Sequence, residues 1–410
     1  RKPKRGLIPS RRRACWNRGV PALLPDEVLL REALEIPDAA PVVLRTREPL
    51  GAGTVTGFEV IGADGHTATY FVDTSGRRVA QETGLATGTP DAPGERIWLH
   101  PQDPHLPALA PVAFGDAART LLHRIGREVV EAPELVAYRA GRRAVFRVVC
   151  RDGIRWVKVI RPERVERIVG LHALLADAAL HVPQIEAWAD AGLLVLPQAS
   201  GRPAVDVAPP ASVFLDDVDR WRAAMADAPL ENRARSGLPE RAEWYTARLV
   251  PRLAPEAAER LRAHAARVAA VVGDDGVLTA IHGDLHFGQL FVDDVGRMSG
   301  VIDVDTAGRG SAADDSAAFV SHALASAALD PGARGGWAFT VALAALERWD
   351  DPAVHVHVRE RVAVHLWGHA LGADDLGDSA RRDVLLATAD ALLAGEGLPK
   401  DGLMDGFGTP

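Results

Sequence analysis

Residues 280–294, AIHGDLHFGQLFVDD, place two histidines, an aspartate and a glutamine within eight positions, with apolar residues on both sides. Buried polar groups need partners, so a metal, a phosphate or plain structural bonding are the uses open to this cluster. A second cluster follows at 300–310, GVIDVDTAGRG. Between them Asp293-Asp294-Val295-Gly296-Arg297 reads as a turn, so the flanking apolar runs are expected to pair as a two-stranded ribbon. Asp284, Gln289 and Asp303 then converge at one end of it.

Carboxylates and an amide oxygen make a hard oxygen site of the kind magnesium prefers. A phosphoryl-transfer site further needs a positioned base, a cation on the phosphates and a strand to hold the nucleobase. The cation has one strong candidate. Lysine occurs only at 2, 4, 158 and 400, and arginine fills the other basic positions. Lys158 is thus the one lysine of the probable folded body, mid-strand in IRWVKVIRP. Lysine is a compact point charge and arginine a planar fork; the plainer use of Lys158 is on a solvated strand face. The run GLLVLPQ at 192–198 supplies the hinge strand, with Leu196 and Gln198 as nucleotide contacts. Asp284 serves as base, with Gln289 and Asp303 on magnesium.

The order of elements fits this use. TVTGFEVIGADGHTATYFVD alternates apolar and polar residues around Asp64-Gly65, a hairpin turn signal, so 42–100 reads as β-rich. A helix is expected near 115–125. Residues 133–160 read as strands joined by turns at Gly141-Arg142-Arg143 and at 151–154, and Pro162 opens a helix over 163–178. Residues 212–273 and 313–395 read as helical. The expected domains are 1–125, a tail and β-rich module; 126–200, a small sheet with hinge; and 201–400, a helical region with the polar clusters. Composition is that of a globular chain, 47% hydrophobic and 25% charged. A net charge of −8 argues against general nucleic-acid binding. No uncharged apolar run approaches the ~18 residues of a membrane span. The basic first thirteen residues lack a signal peptide's apolar run and read as a solvated tail. Two distant cysteines, Cys15 and Cys150, suggest no disulfide framework, and a cytoplasmic setting fits best.

These clusters resemble the aminoglycoside phosphotransferase and choline kinase-like superfamily. Its pattern of His-x-Asp-x-x-x-x-Asn, Ile-Asp, Gly-Asp and Asp-Leu-Ala stands here as His282, Asp284, Gln289, then Ile302-Asp303, Gly310-Ser311 and Asp315-Ser316-Ala317. The resemblance covers about 133–395. It implies an α+β, bilobal protein-kinase-like fold with a small β-rich N-lobe, a large helical C-lobe and an extra β-rich N-terminal cap module. It further implies an ATP- and Mg2+-dependent kinase acting on a small-molecule hydroxyl. In it Asp284 is the catalytic base, Gln289 and Asp303 are magnesium ligands, and Lys158 binds phosphate. His282 and Asp315 brace the catalytic loop. Kinase-like folds pair the lysine with a glutamate on the following helix; Glu163, Glu166 and Asp177 are available, and Glu166 is favoured. The phosphate loop YRAGRRAVFRV has a single glycine, Gly141, so Arg142 and Arg143 are expected to share the phosphate contacts.

The form HGDLHxGQ is similar to the maltokinase and glucosamine kinase branch. That branch continues Asp-Phe-Glu-Gly where this chain has Asp303-Val304-Asp305-Thr306, so its sugar specificity does not transfer. The acceptor expected is a sugar, amino sugar or aminoglycoside-like compound. Other residues carry plainer readings beside the sharp ones. His286 is a backbone-bonded loop histidine or a metal ligand. Asp305 is a second metal ligand or a solvated loop carboxylate. Asp314 and Asp315 precede an apolar helix, and N-capping explains at least one of them. His355, His357, His365 and His369 read as interior or as a substrate-pocket wall. Two competing functions remain: a nucleotide-binding pseudokinase or regulatory module, motivated by Gln289, and a metal-dependent phosphoesterase, motivated by His282-x-Asp284-x-His286.

Overall fold

Strict alternation of apolar and polar residues gives the N-terminal part of the chain its sheets, and longer helical periods give the C-terminal part its helices. The computed structural model describes residues 23–62, 65–234, 237–273, 276–350, 356–396 and 398. The basic tail, Asp64 of the Asp64-Gly65 turn, His355, Cys15, Lys2, Lys4 and Lys400 lie outside the described residues. The chain divides into two compact units, Arg1–Ala110 with Arg139–Arg142, and Pro111–Tyr138 with Arg143–Pro410.

The first unit is built on an antiparallel sheet of β1 (Val42–Leu50), β2 (Gly53–Ile61), β3 (Thr67–Asp73), β4 (Leu85–Gly88) and β5 (Pro93–Leu99), in the order β1-β2-β3-β5-β4. Helix α1 (Pro25–Ala33) adds Leu30 to a core of Phe58, Val72 and Ile97. Asp73 is buried but matched: Arg96 lies 3.3 Å and His105 Nε2 2.8 Å from its carboxylate. A buried charge persists only with such partners. Asp103 is likewise buried, accepting the N–H of His105 at 2.9 Å and of Gly141 at 2.7 Å.

Along the chain α2 (Leu109–Ala113) and α3 (Gly115–His123) come next. The second unit carries a five-stranded sheet in the order β6-β7-β8-β10-β9, from β6 (Glu134–Arg139), β7 (Arg143–Cys150), β8 (Gly153–Ile160), β9 (Ala187–Ala189) and β10 (Leu193–Pro197). Helix α4 (Val165–Asp177) packs Val165 and Ile168 on Ile160, Leu194 and Leu196. Beyond β10 the unit is mainly helical: α5 (Ala204–Val207), α6 (Ala211–Ala226), α7 (Leu238–Leu249), α8 (Pro255–Ala269), α9 (Ala312–Leu329), α10 (Ala333–Trp349), α11 (Val358–Asp375) and α12 (Ser379–Ala394). One continuous core, with Phe214, Phe319, Trp349 and Trp367 among its largest members, joins them. Two small sheets lie among these helices: β11 (Arg202–Pro203), β13 (Leu290–Val292) and β14 (Met298–Val301); and β12 (Leu278–Ile281) with β15 (Gly308–Ser311). The expected ribbon is β13–β14, with Leu290 opposite Val301. Among the described residues no helix is long and apolar enough to cross a membrane.

Candidate active site

Lys158 is placed by strand alternation. In β8 the side chains of Arg155, Val157 and Val159 go into the core, which turns Trp156 and Lys158 to the other face. Lys158 stands opposite Val145 of β7 and Leu194 of β10. On this face lies a cavity of about 240 Å³, lined by Val145, Trp156, Lys158, Leu196, Ile302 and Asp303, among others. Arg143 and Gln198 also line it. The Gln198 amide oxygen accepts the Trp156 indole N–H at 2.7 Å, so that side chain is held in place.

The polar segment after β12 is fixed from both ends. At its start, Asp315 in the first turn of α9 accepts the N–H groups of His282 and Gly283, at 2.7 and 2.8 Å. At its end, His286 and Gln289 cap a short helical turn reciprocally: the histidine side chain accepts from the Gln289 backbone, and Gln289 Oε1 accepts the His286 N–H at 3.0 Å. Gly283 has a φ of +81°, and a Cβ there would lie 2.6 Å from the Thr306 carbonyl oxygen, so glycine is required. His282 is fully buried and donates through Nε2 to the Ile302 carbonyl at 3.0 Å. Ile302 N–H in turn donates to the Gln289 carbonyl, also at 3.0 Å. These bonds stitch the Asp284 loop to the segment that carries Asp303.

Asp303 follows β14 in the left-handed region, at φ +60°, and its carboxylate meets Lys158 Nζ at 2.6 Å. Asp305 lies 3.5 Å from the same ammonium. Burial opposes charge on Lys158, but the Asp305 and Asp303 carboxylates outweigh it and hold its pKa above the ordinary value. The ammonium holds the Asp303 carboxyl below its usual range. Asp305 is likewise held low, because Lys158 and His172 overcome its burial. Beside Asp284, three histidine rings from three elements are in contact. His286 stacks on His322 of α9, with centroids 4.3 Å apart, and His322 meets the edge of His369 of α11 at 4.4 Å. Burial pushes His286 and His369 each down to about 4.

Several expectations are thereby corrected. Glu166 does not pair with Lys158; it is exposed on the first turn of α4, and the lysine takes Asp303 and Asp305 instead. Asp305 is no solvated loop carboxylate, since its side chain is only 8% exposed and ion-paired. Neither Asp314 nor Asp315 caps α9: the cap position is Ser311, Asp315 holds the loop that carries Asp284, and Asp314 pairs with Arg361 of α11. Lys158 is not solvated either, its side chain being 13% exposed. Gly141 and Arg142 belong to the first unit, where Asp103 takes the Gly141 N–H and the Pro49 carbonyl takes the Arg142 guanidinium. His172, Arg167 and Trp156 join this site only through the tertiary fold. The signal for His172 was a polar side chain four residues after Ile168 on the apolar stripe of α4, which the helical period turns to the sheet.

The sequence model of the phosphotransferase enzyme family, APH, matches residues 57–350. The chain belongs to that family. No curated protein matches the chain. Among solved structures, a thermostable mutant of the aminoglycoside phosphotransferase APH(4)-Ia is 16% identical, with a TM-score of 0.50 over 67% of this chain and 97% of that one. A macrolide 2'-phosphotransferase type I is 20% identical, with a TM-score of 0.43 over 66% and 95%. The choline kinase LicA from Streptococcus pneumoniae is 14% identical, with a TM-score of 0.47 over 68% and 99%. This chain is therefore a phosphotransferase of the APH family, with the mixed α and β fold expected.

Proposed function

We infer that the protein uses ATP and magnesium to phosphorylate a hydroxyl group of a small molecule, a sugar, amino sugar or aminoglycoside-like compound. One observation carries this reading: Lys158 and Asp303 meet at 2.6 Å on the wall of a cavity that is otherwise mostly apolar. Val145, Trp156, Leu196 and Ile302 suit an adenine ring. Lys158 and Arg143 supply positive charge for the phosphates, whose mutual repulsion is the main electrostatic obstacle.

The donor set fits magnesium. Asp303 has a side chain 36% exposed and offers hard oxygen atoms to the cavity. Gln289 would be the second ligand, through the lone pair its amide oxygen keeps beside the His286 N–H. When bound, the ion would offset the negative charge of the phosphates. Asp284 orients the acceptor hydroxyl and takes its proton. Its backbone is held from both ends, which limits how far the loop that carries it can move. The contacting rings of His286, His322 and His369 beside Asp284 are the side of the site where the acceptor would lie.

A second reading has its own support. Gln289 is turned into the capping box and the Gly141 amide is taken by Asp103, which suits a module that binds nucleotide without turnover. Thermal melting with ATP, with and without magnesium, tests nucleotide binding in either case. A melting temperature raised by Mg-ATP more than by ATP alone is the expected result. No shift with either would remove both readings.

A further inference from the structure

The helix after the lysine strand gives Lys158 no acidic partner, yet it is not idle toward it. Helix α4 turns His172 to the face of the sheet that bears Lys158, where its side chain is 4% exposed. Nδ1 of His172 donates to the Pro183 carbonyl at 2.8 Å, which fixes the ring. Nε2 is buried, has no hydrogen-bond partner and lies 3.7 Å from Asp305 Oδ1. Arg167, one and a half turns earlier on α4, donates to the Asp305 backbone carbonyl at 2.6 Å. Asp305 is thus held by α4 at its backbone, with the His172 ring of the same helix set against its side chain.

Two carboxylates share the Lys158 ammonium, and their surroundings differ. Asp303 opens to the cavity, while Asp305 is enclosed. A ligand that occupies Asp303 leaves the ammonium with Asp305 alone, and a buried charge without a partner is strongly disfavoured. We propose that Asp305, backed by His172 and Arg167, is the positioning residue for Lys158 in the nucleotide-bound enzyme. It takes the place of the helix-borne glutamate of kinase-like folds, so α4 acts on the lysine through a loop carboxylate. Asp305 is then no metal ligand, and magnesium dependence separates the two roles. The proposal rests on the kinase reading above.

The test uses the full chain and calorimetric titration with AMP-PNP over a range of magnesium concentrations. Asp305→Asn is expected to weaken AMP-PNP binding about tenfold, the loss of one charged contact, with an unchanged magnesium midpoint. Asp303→Asn is expected to move that midpoint upward. His172→Ala should weaken binding about threefold, and His172→Gln, whose amide can still meet Oδ1, should recover most of it. If Asp305→Asn fails to fold, the two His172 variants carry the test alone. Wild-type binding by Asp305→Asn, or by His172→Ala where Asp305→Asn does not fold, overturns the proposal. So does a defect that added magnesium closes, or a greater loss in Glu166→Gln than in Asp305→Asn. Failure of the wild-type chain to bind Mg-AMP-PNP would instead remove the kinase reading, and this proposal with it.

Discussion

Asp315 accepts the backbone N–H of His282 at 2.7 Å from the first turn of α9, and its other oxygen takes the N–H of Gly283. One carboxylate therefore sets the path of the chain into Asp284. Removing it leaves the buried His282 amide without its acceptor. Asp315→Ala is expected to cost about 2–3 kcal/mol, the range for lost charged hydrogen bonds. Urea denaturation measures it; an unchanged midpoint would deny Asp315 this role.

Gly283 makes a sharper demand. With φ at +81° and the Thr306 carbonyl 2.6 Å from any Cβ, alanine meets both backbone strain and a clash. Gly283→Ala is expected to cost about 1–3 kcal/mol. The loop must shift to relieve the clash, so nucleotide turnover should fall further than stability alone explains. Equal melting temperatures and equal turnover in wild type and variant would show that the loop path is not so constrained.

The histidines beside Asp284 give stability a pH dependence of known sign. His286 and His369 are pushed down to about 4 in the fold, from an ordinary 6.5. Between those values the unfolded chain binds protons that the native protein does not, so stability is full above pH 6.5 and falls as pH drops toward 4. The Asp303 and Asp305 carboxyls, held below 3.8, add their loss only under that value. Urea midpoints at pH 7.5 and pH 5 should differ in wild type, and His369→Asn should narrow the difference. Identical differences in the two proteins would contradict the assignment.

Much of this was legible in the sequence because it is local. The strands of Lys158 and Leu196, the β13–β14 ribbon and the order of the helices follow from periodicity and turn residues read over short windows. The polar clusters pointed to Asp284, Gln289 and Asp303 through their spacing. What the sequence did not show is which residues meet across elements. Lys158 and Asp305 are 147 positions apart, and His172 and Asp305 come together only because α4 packs on the sheet. Spacing on one helix favoured Glu166, but the first turn of α4 faces solvent there. The contact of His322 with His286 and His369 is equally tertiary, since α9 and α11 are joined by a long stretch of chain.

The most direct test of the central claim is ADP release from Mg-ATP across a panel of hydroxyl acceptors that includes hexoses, amino sugars, maltose and aminoglycosides, with Asp284→Ala run beside the wild type. The account expects acceptor-dependent release by the wild-type chain, reduced about 10²–10⁴-fold in the variant, which should still bind Mg-ATP. Acceptor-dependent release that survives Asp284→Ala undiminished would contradict it.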